Sequence, residues 1–167
     1  MSGANWVHWL GFTFGWRYSP LLFVRWFLQH DPTGRVDLND EQRLELMLQP
    51  SRLKALNDKD LAIMKDEDIL RMILRSTREA YAQGFDWVRQ DGKVMCMDFG
   101  FRIEDIRSDL PVKLWYGKLD TFVPLNHGEQ IAKRLGGRAD LRVLDETHAG
   151  IFFNNRREIL EHTIGEM

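Results

Sequence analysis

The last third of the chain alternates strand-like and helix-like segments, and this alternation constrains the fold more than any other feature. Residues 112–116 are a short apolar run of the kind that forms a buried strand. Residues 126–135 carry apolar side chains at helical spacing, and two glycines follow them, as is common where a helix ends. Residues 141–146 alternate as a second strand, and residues 154–167 predict a terminal helix with an asparagine cap. The pattern predicts a βαβ unit with two parallel strands and a right-handed crossover.

The first two thirds of the chain are predicted to be mainly helical. Residues 41–50 indicate a short helix that Asn39 or Asp40 caps and Pro50 ends. Residues 65–88 give the strongest helical signal, with an acidic first turn and a stop at Gly84. Its apolar face is predicted to contain Ile69, Met72, Ile73, Ala80 and Tyr81. We therefore expect an α/β fold in one domain, with a helical region over about residues 1–105 and an α/β region over about residues 106–167.

Residues 6–28 are rich in tryptophan and phenylalanine. Arg17, Pro20 and Arg25 interrupt them, so no uncharged run reaches the roughly 18 to 20 residues that a membrane span requires. The segment also lacks the basic start and the cleavage site of a signal peptide. The sequence favours an apolar segment that packs on another surface or covers a pocket. A helix lying in a membrane interface is the alternative.

The composition excludes several classes of function. A net charge of −2 without any basic block removes the electrostatic basis for binding nucleic acid. The single cysteine, Cys96, cannot form an internal disulfide and is expected to be a packed thiol, which favours a cytoplasmic protein. The sequence has no glycine-rich nucleotide-binding motif, no P-loop and no histidine spacing typical of zinc, so we expect no cofactor and no metal.

Two titratable side chains follow the predicted strands. Asp120 comes just after the first strand and His148 just after the second. Reactive groups of open α/β sheets collect beyond the carboxyl ends of the strands, so the two loops are expected to be neighbours. A carboxylate bound to one imidazole nitrogen leaves the other nitrogen free as a base. Alternatively, the aspartate bonds its own turn and the histidine is merely exposed.

Two further residues compete for a place in this site. Asp145 is close enough in sequence to His148 to rival Asp120, but the alternation of its strand favours a position facing solvent. His127 is at the start of the helix predicted over residues 126–135 and either lines the crevice or lies on the surface, the surface being favoured. His8, His30 and His162 form no pattern.

The segment LPVKLWYGKLDTFVPLNHGEQIAKRLGGRADLRVLDETHAGI resembles the C-terminal part of the α/β-hydrolase superfamily. The residues before it are similar to the helical lid of an esterase-like branch, and MSGANW resembles the end of the strand that precedes such a lid. The resemblance implies a partial α/β-hydrolase fold. It also implies that Asp120 is the acid and His148 the histidine of a Ser–Asp–His triad acting on a small, apolar ester or amide-like substrate.

The nucleophile of that family is missing from the sequence. It occupies a G-x-S-x-G motif before the acid, and none of Ser2, Ser19, Ser51, Ser76 and Ser108 lies in such a motif. The family's glycine-containing oxyanion-hole loop is absent as well. We therefore expect a truncated chain, whose sheet would have an open edge through which it could self-associate.

Two functions consequently remain open from the sequence. The first is a hydrolase with an incomplete triad and a small apolar molecule as substrate. The alternative is a catalytically inactive fragment, or a binding module of the same ancestry that acts through an exposed apolar face. A peripheral membrane protein that uses residues 6–28 is a third and less favoured interpretation.

Overall fold

A computed structural model describes residues 6–165 of the chain. The chain forms two compact units. One contains residues 10–97 and is helical, and the other contains residues 98–165 together with residues 6–9. The sequence placed the change from the helical to the α/β region near residue 105, whereas the division between the units falls after Met97.

The helices that precede the sheet are short and are separated by turns. They are α1 (Trp6–Leu10), α2 (Trp16–Tyr18), α3 (Leu21–Gln29), α4 (Asp40–Met47), α5 (Pro50–Leu53), α6 (Asp58–Met64), α7 (Glu67–Ala80) and α8 (Asp86–Met95). A π-helical turn, Gly11–Gly15, lies between α1 and α2, and single 3-10 turns occur at Pro32–Gly34 and Ile103–Asp105.

The core of the helical unit lies between α4 and α7. Leu44 and Met47 of α4 pack against Leu70 and Leu74 of α7, and all four side chains are buried. The capping box at Asn39 begins α4 as predicted, because its side chain accepts the Gln42 amide while the Gln42 side chain accepts the Asn39 amide.

The predicted apolar face of α7 is wrong in its centre. Leu70 and Leu74, four residues apart, point into the core, whereas Met72 is exposed. Ile73 lies beside the core and is half-buried, so the true face is rotated towards the two leucines. The predicted stop at Gly84 is confirmed. Helix α7 ends at Ala80, and Gly84 follows with a φ of +88°, a left-handed conformation that favours glycine, before α8 begins.

An arginine is completely buried in the helical unit. The guanidinium of Arg43 donates to the carbonyls of Pro32, Thr33 and Leu74 and to the hydroxyl of Thr77. It also donates to the exposed carboxylate of Asp40, one turn earlier on the same helix. Because its donors are satisfied in this way, the buried charge joins α4 to α7 and to the turn before α4.

The aromatic segment is only partly packed. Val24 and Leu28 of α3 are buried with Phe85, so one face of this helix contributes to a second small core. The opposite face carries four exposed apolar side chains, namely those of Leu22, Phe23, Trp26 and Phe27. Among residues 6–165, no helix is both long and apolar enough to cross a membrane.

The second unit contains the predicted βαβ pattern. The strand β1 (Val112–Gly117) is followed by α9 (Leu125–Arg134), β2 (Ala139–Leu144) and α10 (His148–Ile164). The two strands are hydrogen-bonded neighbours and run parallel, with Val112 opposite Ala139 and Gly117 opposite Leu144. The parallel pairing confirms a mixed helix and strand fold, and the positive φ angles of Gly136 and Gly137 confirm the end of α9.

The terminal helix starts earlier than the sequence indicated. It begins at His148, not near Asn154, because Thr147 is its N-cap and accepts the amide of Gly150 at 3.0 Å. A Cβ atom at Gly150 would lie 2.2 Å from Oε2 of Glu146, so a larger residue there would displace the end of the Glu146 side chain. The predicted asparagine cap is therefore wrong, and His148 belongs to a helix and not to a loop.

Candidate functional site

The carboxyl ends of β1 and β2 lie side by side and bring their following loops together. Gly117 is the last residue of β1, and a Cβ atom there would lie 2.2 Å from the carbonyl oxygen of Glu146. The amides of Lys118 and Leu119 donate to the carbonyls of Leu144 and Glu146 and so extend the pairing beyond the strands. The glycine at this point therefore allows the two loops to approach more closely than any other residue would.

The structure brings Asp120 and His148 together across this junction. Nδ1 of His148 lies 2.9 Å from Oδ2 of Asp120, a hydrogen-bonding distance. The aspartate side chain is only 2% exposed, whereas that of the histidine is 58% exposed. A buried carboxylate and an accessible imidazole are thus joined through the inner nitrogen of the ring.

The second carboxylate oxygen of Asp120 is held by its own turn. Oδ1 accepts the amides of Phe122 and Val123, both at 2.8 Å. The sequence left two roles open for Asp120, a bond to its own turn and a bond to His148. The structure shows that its side chain makes both bonds. Because the turn fixes Oδ1, it also fixes where Oδ2 meets the imidazole.

This arrangement determines which nitrogen of His148 carries the proton. A carboxylate can only accept a hydrogen bond from Nδ1, so Nδ1 is protonated and the lone pair of the neutral ring lies on Nε2. Nε2 makes no hydrogen bond within residues 6–165. The imidazole can therefore take a proton from a hydroxyl group or a water molecule that approaches its exposed edge.

A cavity of about 400 Å³ opens beside the imidazole. Its lining includes Tyr116 of β1, Val123 of the acid loop, and Ile151 and Phe152 of α10, so its wall is mainly apolar. Burial raises the pKa of the Tyr116 phenol, and the nearby carboxylate of Asp120 raises it further, so the phenol stays neutral in the ordinary pH range. A second concavity of about 470 Å³ is lined only by the last turns of α10, and contains neither member of the Asp–His pair.

The other candidate residues lie outside this pair. Asp145 is exposed, as its strand alternation predicted. His127, for which a surface position was favoured, is half-buried, and burial lowers its pKa. Ser108 precedes β1, and the six residues of that strand separate it from Asp120 by roughly 20 Å at about 3.3 Å per residue. It therefore lies at the opposite end of the sheet, as the sequence indicated.

Sequence reasoning missed the aromatic surroundings of the histidine. The ring of Phe122 lies 4.9 Å from the imidazole of His148, and the exposed ring of Phe152 lines the cavity one turn further along α10. Phe122 was visible only as an apolar residue in a turn after the acid. Phe152 is four residues after His148, and residues at this spacing share one face of a helix. The sequence would have indicated this position only with the helix start placed at His148.

The described part of the chain contains no group of three or more His, Cys, Asp or Glu side chains that could hold a metal ion. No protein-family model, no curated protein and no solved structure matches the chain significantly. The geometry of the Asp–His pair is therefore the main basis for assigning a function.

Proposed function

We propose that this chain is an esterase-like protein of the α/β-hydrolase superfamily in which Asp120 and His148 are the acid and the base of a Ser–Asp–His triad. The observation that carries the proposal is the 2.9 Å hydrogen bond between the two side chains, with the aspartate fixed by two turn amides. The parallel strands and the order of acid and histidine in the sequence support it. The substrate is a small, apolar ester or amide-like molecule.

In the proposed reaction His148 acts first as a base and then as an acid. Its Nε2 atom accepts the proton of an attacking hydroxyl group as the new bond to the carbonyl carbon forms. The imidazolium that results is stabilised by the carboxylate of Asp120 through the Nδ1 hydrogen bond. The proton then passes from Nε2 to the leaving oxygen or nitrogen as the bond to that atom breaks.

The sequence holds no G-x-S-x-G motif for the nucleophile, so the attacking group that the residues present can activate is water. General-base assistance of this kind contributes typically about 10²- to 10⁴-fold to a rate. The expected rate of hydrolysis is accordingly small. The activity is therefore recognised by its loss when His148 is replaced, and not by a high turnover.

The apolar cavity beside the imidazole supports the substrate class. Small-molecule sites are mainly apolar clefts with few polar groups that fix orientation. The polar side chains of the lining include those of His148, Asp120, Lys113 and Tyr116. The phenol of Tyr116 remains a neutral hydrogen-bond donor. An acyl chain of a few carbons against Val123, Ile151 and Phe152 would place its carbonyl near Nε2.

Hydrolysis of short-chain nitrophenyl esters tests this function. We expect slow hydrolysis that His148→Gln abolishes. Asp120→Asn should reduce it strongly, because an amide nitrogen facing the imidazole favours the wrong tautomer. Exposed histidines also cleave such esters non-specifically, so His30→Gln is the matched control and should leave the rate unchanged. Equal rates for the wild type and His148→Gln would refute the proposal.

Labelling with a serine-directed fluorophosphonate separates two forms of the activity. If water is the nucleophile, the chain hydrolyses the ester and takes no label. A label that requires His148 would instead identify one of the five serines as a nucleophile, and mass spectrometry of the labelled peptide would show which one.

A second candidate function is a non-catalytic binding module. The exposed apolar face of α3, with Leu22, Phe23, Trp26 and Phe27, favours it. In the described part of the chain each strand is bonded to one neighbour, so self-association through a sheet edge is a further element of this candidate. Light scattering across a concentration series would detect self-association. Sedimentation with liposomes, compared between the wild type and Trp26→Ser, would detect binding of the α3 face to a membrane surface.

A further inference from the structure

We propose that Phe122 is a positioning residue that holds the imidazole of His148 against Asp120, and that His8 in turn supports Phe122. No property of the sequence motifs assigns a role to either residue. The inference extends the proposed function and rests on it only for the activity measurement described below.

Phe122 contacts both members of the Asp–His pair through different parts of the residue. Its backbone amide donates to Oδ1 of Asp120 at 2.8 Å. Its ring packs against the imidazole of His148 with the ring centroids 4.9 Å apart and the planes inclined by 43°. A single residue therefore fixes the position of the acid and the orientation of the base.

A second histidine contacts the same ring. The ring of His8, in α1, meets Phe122 edge to face at a centroid distance of 4.4 Å. Nδ1 of His8 lies 3.3 Å from the carbonyl oxygen of Thr121, the residue between Asp120 and Phe122, and donates to it. Because both contacts reach the acid loop, His8 limits the movement of Phe122 in two directions.

The exposure of His148 explains why such support matters. More than half of its side chain is accessible, so little else prevents the imidazole from turning about its Cβ–Cγ bond. That torsion has broad minima, and a turned ring would present the carbon atom Cδ2 to Asp120 in place of Nδ1. An aromatic ring against one face of the imidazole restricts this rotation without taking up Nε2.

The test uses the full chain with Phe122→Leu, which retains the backbone amide and an apolar side chain but removes the flat ring. Nitrogen-15 NMR of the imidazole distinguishes its tautomers, and exchange of the Nδ1 proton with water reports how often the bond to Asp120 opens. In the wild type we expect one tautomer, with the proton on Nδ1. In Phe122→Leu we expect a mixture of tautomers and proton exchange about three- to tenfold faster, which is the range that the loss of one aromatic contact produces.

Three further variants make the result specific. Phe122→Tyr keeps the ring and should restore the wild-type spectrum. His8→Gln should cause a smaller change in the same direction, because it acts through Phe122. Phe101→Leu removes an exposed phenylalanine that belongs to the same unit and packs on Phe99, and it should leave the His148 resonances unchanged.

The activity measurement separates this inference from the proposed function. If the function is right, Phe122→Leu lowers kcat for ester hydrolysis by about the same factor as it raises proton exchange, and leaves KM unchanged. The wild type could be inactive while Phe122→Leu still shows mixed tautomers and faster proton exchange. That result would refute the hydrolase function but support the positioning role of Phe122.

The positioning role would be overturned if Phe122→Leu had the same tautomer population and the same proton exchange rate as the wild type, whatever its activity. Should Phe122→Leu fail to fold, as judged by far-ultraviolet circular dichroism, His8→Gln decides in its place. An unaltered His148 spectrum in that variant would likewise overturn the role.

Discussion

The hydroxyl oxygen of Thr147 accepts the amide of Gly150 at 3.0 Å, and this bond starts α10 at the neighbouring residue, His148. The helix therefore holds the backbone of the histidine, while Asp120 holds its side chain. Since Thr147 is itself 2% exposed, the start of the helix is anchored in the interior of its unit.

Replacing Thr147 tests this anchor. Thr147→Val retains the shape of the side chain but loses the cap, and we expect a loss of about 0.5 to 2 kcal/mol in the free energy of unfolding. Thr147→Ser keeps the hydroxyl group and should lose less. Urea denaturation followed by circular dichroism measures both, and a larger loss in the serine variant than in the valine variant would contradict the assignment of the cap.

Replacing the buried Arg43 is expected to be among the most damaging changes in the helical unit. Arg43→Met fills much of the same volume but removes the hydrogen bonds that the guanidinium donates to the carbonyls of Pro32, Thr33 and Leu74, so we expect a loss of about 3 kcal/mol or more. Arg75→Met, an exposed arginine on α7, is the control and should change stability by less than about 0.5 kcal/mol. The comparison is made by chemical denaturation, and similar losses for the two variants would contradict the buried network.

Gly117→Ala should separate the loops of the candidate site. The added Cβ atom would lie 2.2 Å from the Glu146 carbonyl oxygen, so the backbone of one loop has to shift. We expect a loss of about 1 to 3 kcal/mol in stability and faster exchange of the His148 Nδ1 proton. Gly11→Ala places its methyl group in open space and serves as the control. An unchanged proton exchange rate in Gly117→Ala would show that the close approach does not position the pair.

Acid should weaken the second unit through Glu104. Arg134 binds its carboxylate with two nitrogen atoms, each at 2.8 Å, and this contact lowers the pKa of Glu104 from 4.5 to about 2. Because the folded pKa lies below the ordinary value, the stabilisation is complete above about pH 4.5 and is lost as the pH falls to about 2. Urea midpoints measured from pH 2 to 6 should therefore fall less steeply for Glu104→Gln than for the wild type.

The control for this acid effect is Glu129→Gln, which removes an exposed carboxylate from α9. Its urea midpoints should follow the slope of the wild type. A Glu104→Gln profile parallel to that of the wild type would mean that the ion pair with Arg134 has no influence on folding in solution.

The βαβ unit could be predicted because its signals are local. The apolar run of β1, the helical spacing of α9 and the glycine pair that ends it each act within a few residues. The centre of the α7 face could not be fixed in the same way. Leu70 and Met72 are both apolar, and only packing against α4 decides which of them is buried.

The start of α10 was missed because its cap has an unusual partner. A threonine is a good helix cap, but the usual signal places Glu or Gln three residues later, whereas this chain has Gly150 there. Glycine is unfavourable in a helix, so Gly150 soon after His148 indicated a loop. The Asp–His pair could be anticipated from the strand ends, but the ring of Phe122 could not, because contacts between rings leave no periodic pattern in a sequence.

The pairing of β1 with β2 also has a kinetic consequence for the Asp–His pair. Asp120 and His148 are 28 positions apart along the chain, and the two strands that precede them are parallel. The entropy cost of closing this segment has to be met before the strands pair. Parallel pairing between strands that are distant in sequence forms slowly. We therefore expect the acid and the base to meet only when the two strands pair, in a slow step of folding.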